Sequence, residues 1–279
     1  MRSVTFRPGQ RRWLILTIIC VCAFVCLIYL SEIHEHRSDT APSRHSISNK
    51  VNRIFWNCNK PRTVALTFDD GPIKNSTWIA IKILMRRSVP ATFFLVGKSV
   101  LRERDVVKFL HRSPLFMLGT HTYNHSDLAS IVSSNAYNRV TEEIGGGINA
   151  LQEVTGKRYR HFRPVNDAFD QFGKVADYPW HLSVDMWTLQ TRDLEHSKKI
   201  SRKGVQLSER IDYMTELMVK DLAQQWAQLE PSDLTRGFIF RAHQSELTFH
   251  ALNGLIDFFE QKGLRFIRMD ECTGIPETH

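Results

Sequence analysis

The chain has 279 residues, 42% of them hydrophobic and 24% charged, which is enough apolar material for one large domain or two small ones and too much for a disordered chain. Its formal charge of +8 comes from 37 Lys and Arg against 29 Asp and Glu, but Arg2, Arg7, Arg11 and Arg12 all lie at the extreme N-terminus. Without them the surplus is slight, and no basic run is interleaved with aromatics, so no nucleic-acid partner is indicated.

In chain order the first element is Trp13 to Leu30, an uncharged apolar run that as a helix would span about 27 Å, close to a bilayer core. The arginines before it predict a cytoplasmic tail over residues 1–12, a single-pass membrane anchor over 13–30, and an extracytoplasmic remainder, at the cell surface or in a secretory lumen. A cleaved signal peptide is the alternative, and it exports the same domain. Residues 31–60 are polar and read as a linker, which leaves 61–275 for the folded domain.

From there short apolar runs alternate with longer amphipathic ones. Strand-like Val64–Leu66 precedes helical Thr77–Arg87; Ala91–Val96 precedes Val100–His111; Leu115–Leu118 precedes a long helix near Ala136–Val154. Strand-like His181–Trp187, helical Ser208–Leu229, strand-like Gly237–Ala242, helical Leu247–Gln261 and a closing strand Arg265–Met269 complete the series, and the polar stretch Asp193–Arg210 reads as a surface loop. This alternation predicts an α/β fold with a mostly parallel sheet, wound open or closed into a barrel.

Cys20, Cys22 and Cys26 fall inside the apolar run, so Cys58 and Cys272 are the two left for the exported domain, and they bracket it. They are expected to form a disulfide. Asn75-Ser76-Thr77 and Asn124-His125-Ser126 are glycosylation sequons, meaningful in a eukaryotic cell.

Chemistry concentrates at two places. Thr67-Phe68-Asp69-Asp70-Gly71-Pro72 ends an apolar strand, so alternation sends the two carboxylates in different directions just before a forced turn. His121-Thr122-Tyr123-Asn124-His125 follows the next strand but one, with two imidazoles four residues apart that can face a single ion in a helix or tight turn. Both lie beyond the carboxyl ends of strands, the edge at which barrels and open α/β sheets place their sites. One carboxylate and two histidines leave open positions on a divalent ion, as a hydrolytic metal requires. No GxSxG elbow supports a serine mechanism.

At these residues the chain resembles the NodB-type polysaccharide deacetylases, carbohydrate esterase family 4, which include chitin and peptidoglycan N-deacetylases. The resemblance runs from about Arg62 to Gly274, and Phe162-Arg163-Pro164, Val184-Asp185-Met186-Trp187 and Ile239-Phe240-Arg241-Ala242-His243 follow in the family's order. It implies a distorted (β/α) barrel with Asp70, His121 and His125 as ligands of a divalent metal, usually Zn2+. It further implies Asp69 as the general base, Arg163 as the ion pair that positions it, and His243 as the general acid toward the departing sugar amine. The family's acid that supports this His, with its aromatic neighbour in the cleft, matches Asp185 with Trp187, and Asp193 is the rival acid. The family's Arg-Pro-Pro-aromatic is here Arg163-Pro164-Val165-Asn166, so the aromatic wall is missing and the backbone N–H of Asn166 would serve the oxyanion. The implied substrate is an N-acetylated glycan, with O-acetyl esterase activity or a non-catalytic glycan-binding role as alternatives.

Overall fold

The computed structural model describes residues 54–134, 136–167, 182–200 and 206–278. The apolar run 13–30 and the polar linker up to residue 53 lie outside them. No helix among the described residues is long and apolar enough to cross a membrane.

The first long strand shows why the sheet forms where it does. After the short β1 (Ile54–Phe55) and β2 (Asn57–Cys58), strand β3 (Thr63–Gly71) is buried along almost its whole length. Val64, Leu66 and Phe68 enter the large apolar layer shared with the helices, whereas Ala65 joins a second cluster inside the sheet's curve. Thr67 and Asp69 follow Ala65 at the strand's period of two, so the same inner face carries the first catalytic candidate. Helix α1 (Lys74–Arg87) covers the outer face through Thr77, Ala80, Ile81 and Leu84, an amphipathic spacing, and ends on Ser88 in the left-handed region.

The pattern repeats through β4 (Ala91–Leu95), helices α2 (Gly97–Arg102) and α3 (Arg104–Arg112), and β5 (Phe116–Thr120). The single helix expected over Val100–His111 is thus two, interrupted at Glu103, whose φ/ψ of −108°/45° is not helical. Helices α4 (Leu128–Ser133) and α5 (Tyr137–Thr155) precede β6 (His161–Phe162), a 3-10 turn (Val165–Asp167), β7 (Ser183–Asp185) and β8 (Leu189–Gln190). The expected loop from Asp193 instead begins helix α6 (Asp193–Ile200), because Asp193, His196 and Ile200 fall at helical spacing and are buried. Helix α7 (Leu207–Ala227), β9 (Gly237–His243), α8 (Glu246–His250), α9 (Leu252–Gln261), β10 (Arg265–Ile267) and α10 (Met269–Thr273) complete the domain.

The strands form one sheet in the order β1-β7-β6-β5-β4-β3-β9-β2, with β10 also on β3 and β8 also on β9. All pairs are parallel except β2 with β9. β1 lies on β7 and β2 on β9, so five consecutive residues, Ile54 to Cys58, touch both ends of the sheet and nearly close it into a barrel. Cys58 and Cys272 are joined by a disulfide, as expected, and Asn59 N–H donates to the Cys272 carbonyl at 2.9 Å. The first and last parts of the domain are therefore tied together.

Candidate active site

The site grows from the carboxyl end of β3. The β3–β4 register slips between Phe68 and Gly71, the irregularity by which strands re-aim side chains. Asp70 has a φ of 77°. Asp69 stays on the inner face opposite His243 in the β3–β9 register, on neighbouring strands about 4.8 Å apart. Asp70 turns away toward the loop after β5.

That loop carries the two histidines. His125 Nε2 lies 2.9 Å and His121 Nε2 3.4 Å from Asp70 Oδ1, with the two rings 5.2 Å apart. One donor atom from each of the three residues falls within 4.8 Å of the others. His121 Nδ1 meets the Arg163 carbonyl at 2.7 Å; since a carbonyl only accepts, Nδ1 carries a proton there, and a bound ion would take the lone pair of Nε2. A hard carboxylate and two imidazoles suit a divalent ion such as zinc, and the protein bond on the far side of His121 is the kind that orients a metal ligand. Burial pushes the Asp70 carboxyl up, but hydrogen bonds from His121 and His125 override it and hold the group far below the ordinary carboxylate range. The Asp70 bond in turn raises His125.

Backbone strain gathers here. Asp70, Thr122, His125 and Asn166 all adopt positive φ, which costs a non-glycine residue on the order of 1–3 kcal/mol and persists only where neighbours fix it. Helix α5 supplies part of that fixing through a run of glycines. A Cβ on Gly146 would stand 3.0 Å from the Tyr123 side chain, and one on Gly147 would stand 2.1 Å from Thr120 Oγ1. Only glycine lets the helix come this close to the histidine loop.

Beneath the carboxylates lies Arg163, fully buried at the end of β6. Its Nη1 donates to Asp69 Oδ1 at 2.9 Å and to Thr67 Oγ1 at 2.5 Å, its Nε to the Asp185 carbonyl at 2.7 Å and its Nη2 to the Met186 carbonyl at 2.9 Å. The guanidinium also lies 4.2 Å from the Phe94 ring centroid. A buried cation bonded on all three of its nitrogens fixes Asp69 in one orientation. The expected pairing of Asp69 with Arg163 is therefore present. Thr67, which closes the network, was not among the expected residues, although its place two before Asp69 on one strand face is the signal for it.

His243 is supported by Asp193 and not by Asp185. Asp193 Oδ1 is 2.9 Å from His243 Nδ1, Oδ2 accepts the His243 backbone N–H at 2.7 Å, and Thr248 Oγ1 donates to Oδ2 at 3.0 Å. Burial pulls the His243 pKa down, but the Asp193 bond more than compensates, so it stands above the ordinary imidazole value. The Asp185 carboxylate is spent elsewhere: it accepts from Ser183 Oγ at 2.6 Å and pairs with buried His161 Nδ1 at 2.6 Å. It borders the candidate catalytic groups only through its carbonyl on Arg163. The reason is topological, since the pairing of Leu189 and Gln190 with Phe240 and Arg241 brings the residues just after β8 alongside His243.

Trp187 is likewise not presented as a sugar platform. It is 4% exposed, with the Arg241 guanidinium 3.6 Å above its ring and Trp56 packed 6.4 Å away, so it belongs to the inner core. Asn166 sits exposed in the 3-10 turn after Pro164. Of the two sequons, Asn75 is exposed on the first turn of α1, whereas the Asn124 amide is bonded to Glu143.

Comparison with known proteins finds similar chains and similar folds. The model of the family described as polysaccharide deacetylase matches residues 57–172. A chitin deacetylase of Arthroderma benhamiae is 27% identical over 232 residues, 81% of this chain and 56% of that protein. A peptidoglycan-N-acetylglucosamine deacetylase of Bacillus cereus is 35% identical over 138 residues, 47% of this chain and 46% of that protein. Among solved structures, a carbohydrate esterase family 4 pseudoenzyme from Bacillus anthracis superposes with a TM-score of 0.59 over 85% of this chain and 70% of its own, at 18% identity. The fold is thus that of the NodB-like deacetylases. The chain spans about half, or less, of the length of the curated relatives it matches.

Proposed function

We propose that this chain, which carries a polysaccharide deacetylase domain, hydrolyses acetyl groups from N-acetylglucosamine units of a chitin-like or peptidoglycan polymer, with a divalent metal, Zn2+ first, held by Asp70, His121 and His125. The observation that carries this reading is the convergence of those three donors beside a buried Asp69–Arg163 pair and an Asp193–His243 pair. When bound, the ion would polarise the acetyl carbonyl and acidify the attacking water.

The chain's own groups then divide the proton work. Asp69, oriented by its bond from Arg163, takes the proton of the water as general base. His243, whose Nδ1–H is directed at Asp193, presents Nε2 and, as imidazolium, returns a proton to the leaving amine. The Asn166 backbone N–H steadies the carbonyl oxygen as charge develops there. Val165 and Asn166 in place of Pro and an aromatic alter the packing of the sugar and leave these groups in place.

Export by the apolar run 13–30, as anchor or as cleaved leader, completes the reading, since such polymers lie outside the cell. O-acetyl esterase action would use the same groups, because only the leaving atom differs. The test is acetate release from chitooligosaccharides, peptidoglycan fragments and O-acetylated xylan by the purified ectodomain, before and after chelation and zinc readdition. Release from the N-acetylated substrates that chelator abolishes and zinc restores is expected. No release from any of the three assigns the chain to non-catalytic glycan binding instead.

A further inference from the structure

The turn that aims the two histidines is held from both sides. The Thr122 and Tyr123 carbonyls accept from the N–H groups of Gly97 and Lys98 at the start of α2, each at 2.9 Å. Ser126 N–H donates to Thr122 Oγ1 at 3.2 Å. On the opposite flank the Glu143 carboxylate accepts the Asn124 backbone N–H at 2.8 Å and the Asn124 Nδ2 at 2.6 Å. Glu143 is 5% exposed and shares a helical stripe with buried Val140, Ile144 and Ile148, a place normally taken by an apolar side chain. Burial pushes its carboxyl up, yet the Asn124 side chain and backbone, with Ser126 and the Tyr123 backbone, draw it below the ordinary value, so the group is an anion in the fold. An ionised carboxylate at a core position, bonded to the one residue directly before His125, needs a purpose that packing does not supply.

We propose that Glu143 is a positioning residue for the metal site: by clamping both N–H groups of Asn124 it presets the strained turn, so that His121 and His125 converge on Asp70 before an ion arrives. The inference rests on the metal-binding reading above. Glu143 touches no reacting atom, and its effect passes through the orientation of His125.

The test uses the full chain and reads zinc affinity by competition with a chromophoric chelator, together with the visible spectrum after loading with Co2+. Glu143→Ala is expected to weaken zinc about 10- to 100-fold, the usual effect of losing a group that orients a ligand, and to alter the Co2+ bands. Glu143→Gln should also weaken it, since its amide NH2 then faces the Asn124 NH2, donor to donor. Combining Glu143→Gln with Asn124→Asp restores a donor opposite an acceptor and should recover most of the affinity and the wild-type spectrum. A general loss of stability would produce neither the spectral change nor the recovery, and the exchange carries the test even if the Ala variant does not fold. If the wild type binds zinc and the Glu143 variants bind it equally well, or the exchange leaves affinity low, the positioning role is overturned and the metal site stands. If the wild type binds no zinc, the metal reading itself falls, and this inference with it.

Discussion

Asp193 grips His243 twice, with Oδ1 2.9 Å from the ring Nδ1 and Oδ2 accepting the backbone N–H at 2.7 Å. The carboxylate holds His243 protonated to a higher pH than a free imidazole. A reaction that needs the imidazolium should therefore decline as pH rises through that raised value. Asp193→Asn is expected to move this basic limb of the kcat/KM profile to lower pH and to cut activity at neutral pH by ~10²-fold or more. Asp185→Asn should leave the limb where it is and lower thermal stability instead, since its carboxylate meets Ser183 and His161. Equal profiles for Asp193→Asn and wild type would remove Asp193 from the acid's support.

The contrast between these two acids shows what can be read from residues in a line. Asp69, Asp70, His121 and His125 were legible because each pair is local: a strand ending in a forced turn, and two imidazoles on one short loop. Arg163 and His243 were legible through the order of motifs. Which acid meets His243 depends on β8 lying beside β9, a pairing of two residues that no periodicity signals. The same holds for Trp187, whose burial follows from Arg241 covering its ring. Long elements fared better, because Gly237–His243 and Leu207–Ala227 carry enough periodic residues to announce themselves. The expected helix over Leu247–Gln261 begins and ends nearly where expected, but Ala251 divides it into α8 and α9. The expected strand to Met269 stops at Ile267, since Met269 opens a helix.

The Cys58–Cys272 bond closes a loop of 214 residues, for which chain entropy gives about 5.4 kcal/mol of stabilisation. Both sulfurs are buried, so reduction requires opening of the domain's ends. Peptide mapping without reductant should recover the linked pair, and Cys58→Ser with Cys272→Ser should melt several degrees lower than wild type. Recovery of both as free thiols from the native protein would contradict the pairing.

His161 is buried against Asp185, which raises its pKa in spite of burial. A group bound more tightly to its proton in the folded state stabilises fully below its unfolded value of about 6.5, and that contribution disappears as pH rises through the folded value. The melting temperature of wild type should accordingly exceed that of His161→Gln by most near pH 6, with the gap narrowing toward pH 9. A gap that is constant with pH would mean that His161 is neutral in the fold.

Asp69 and Asp70 are neighbours with separate work, which a pair of isosteric changes can divide. Asp69→Asn keeps an oxygen for Arg163 Nη1 but leaves a fully buried guanidinium without its counter-charge, a loss of ~3–5 kcal/mol when a buried pair is broken. Turnover must therefore be measured below the lowered melting temperature. There, zinc stoichiometry should remain that of wild type, because the donor set Asp70, His121 and His125 is intact, while acetate release falls ~10²-fold or more with the loss of the base. Asp70→Asn should do the reverse in order: the buried Asp69–Arg163 pair stays intact, whereas zinc binding weakens and activity falls with it, returning in part at excess zinc. Activity of Asp69→Asn that excess zinc restores, or full zinc occupancy in an inactive Asp70→Asn, would exchange the two roles. The geometry argues against that exchange, since Asp69 is committed to Arg163 on the barrel's inner face and Asp70, after the break in register, is the carboxylate that meets both imidazoles.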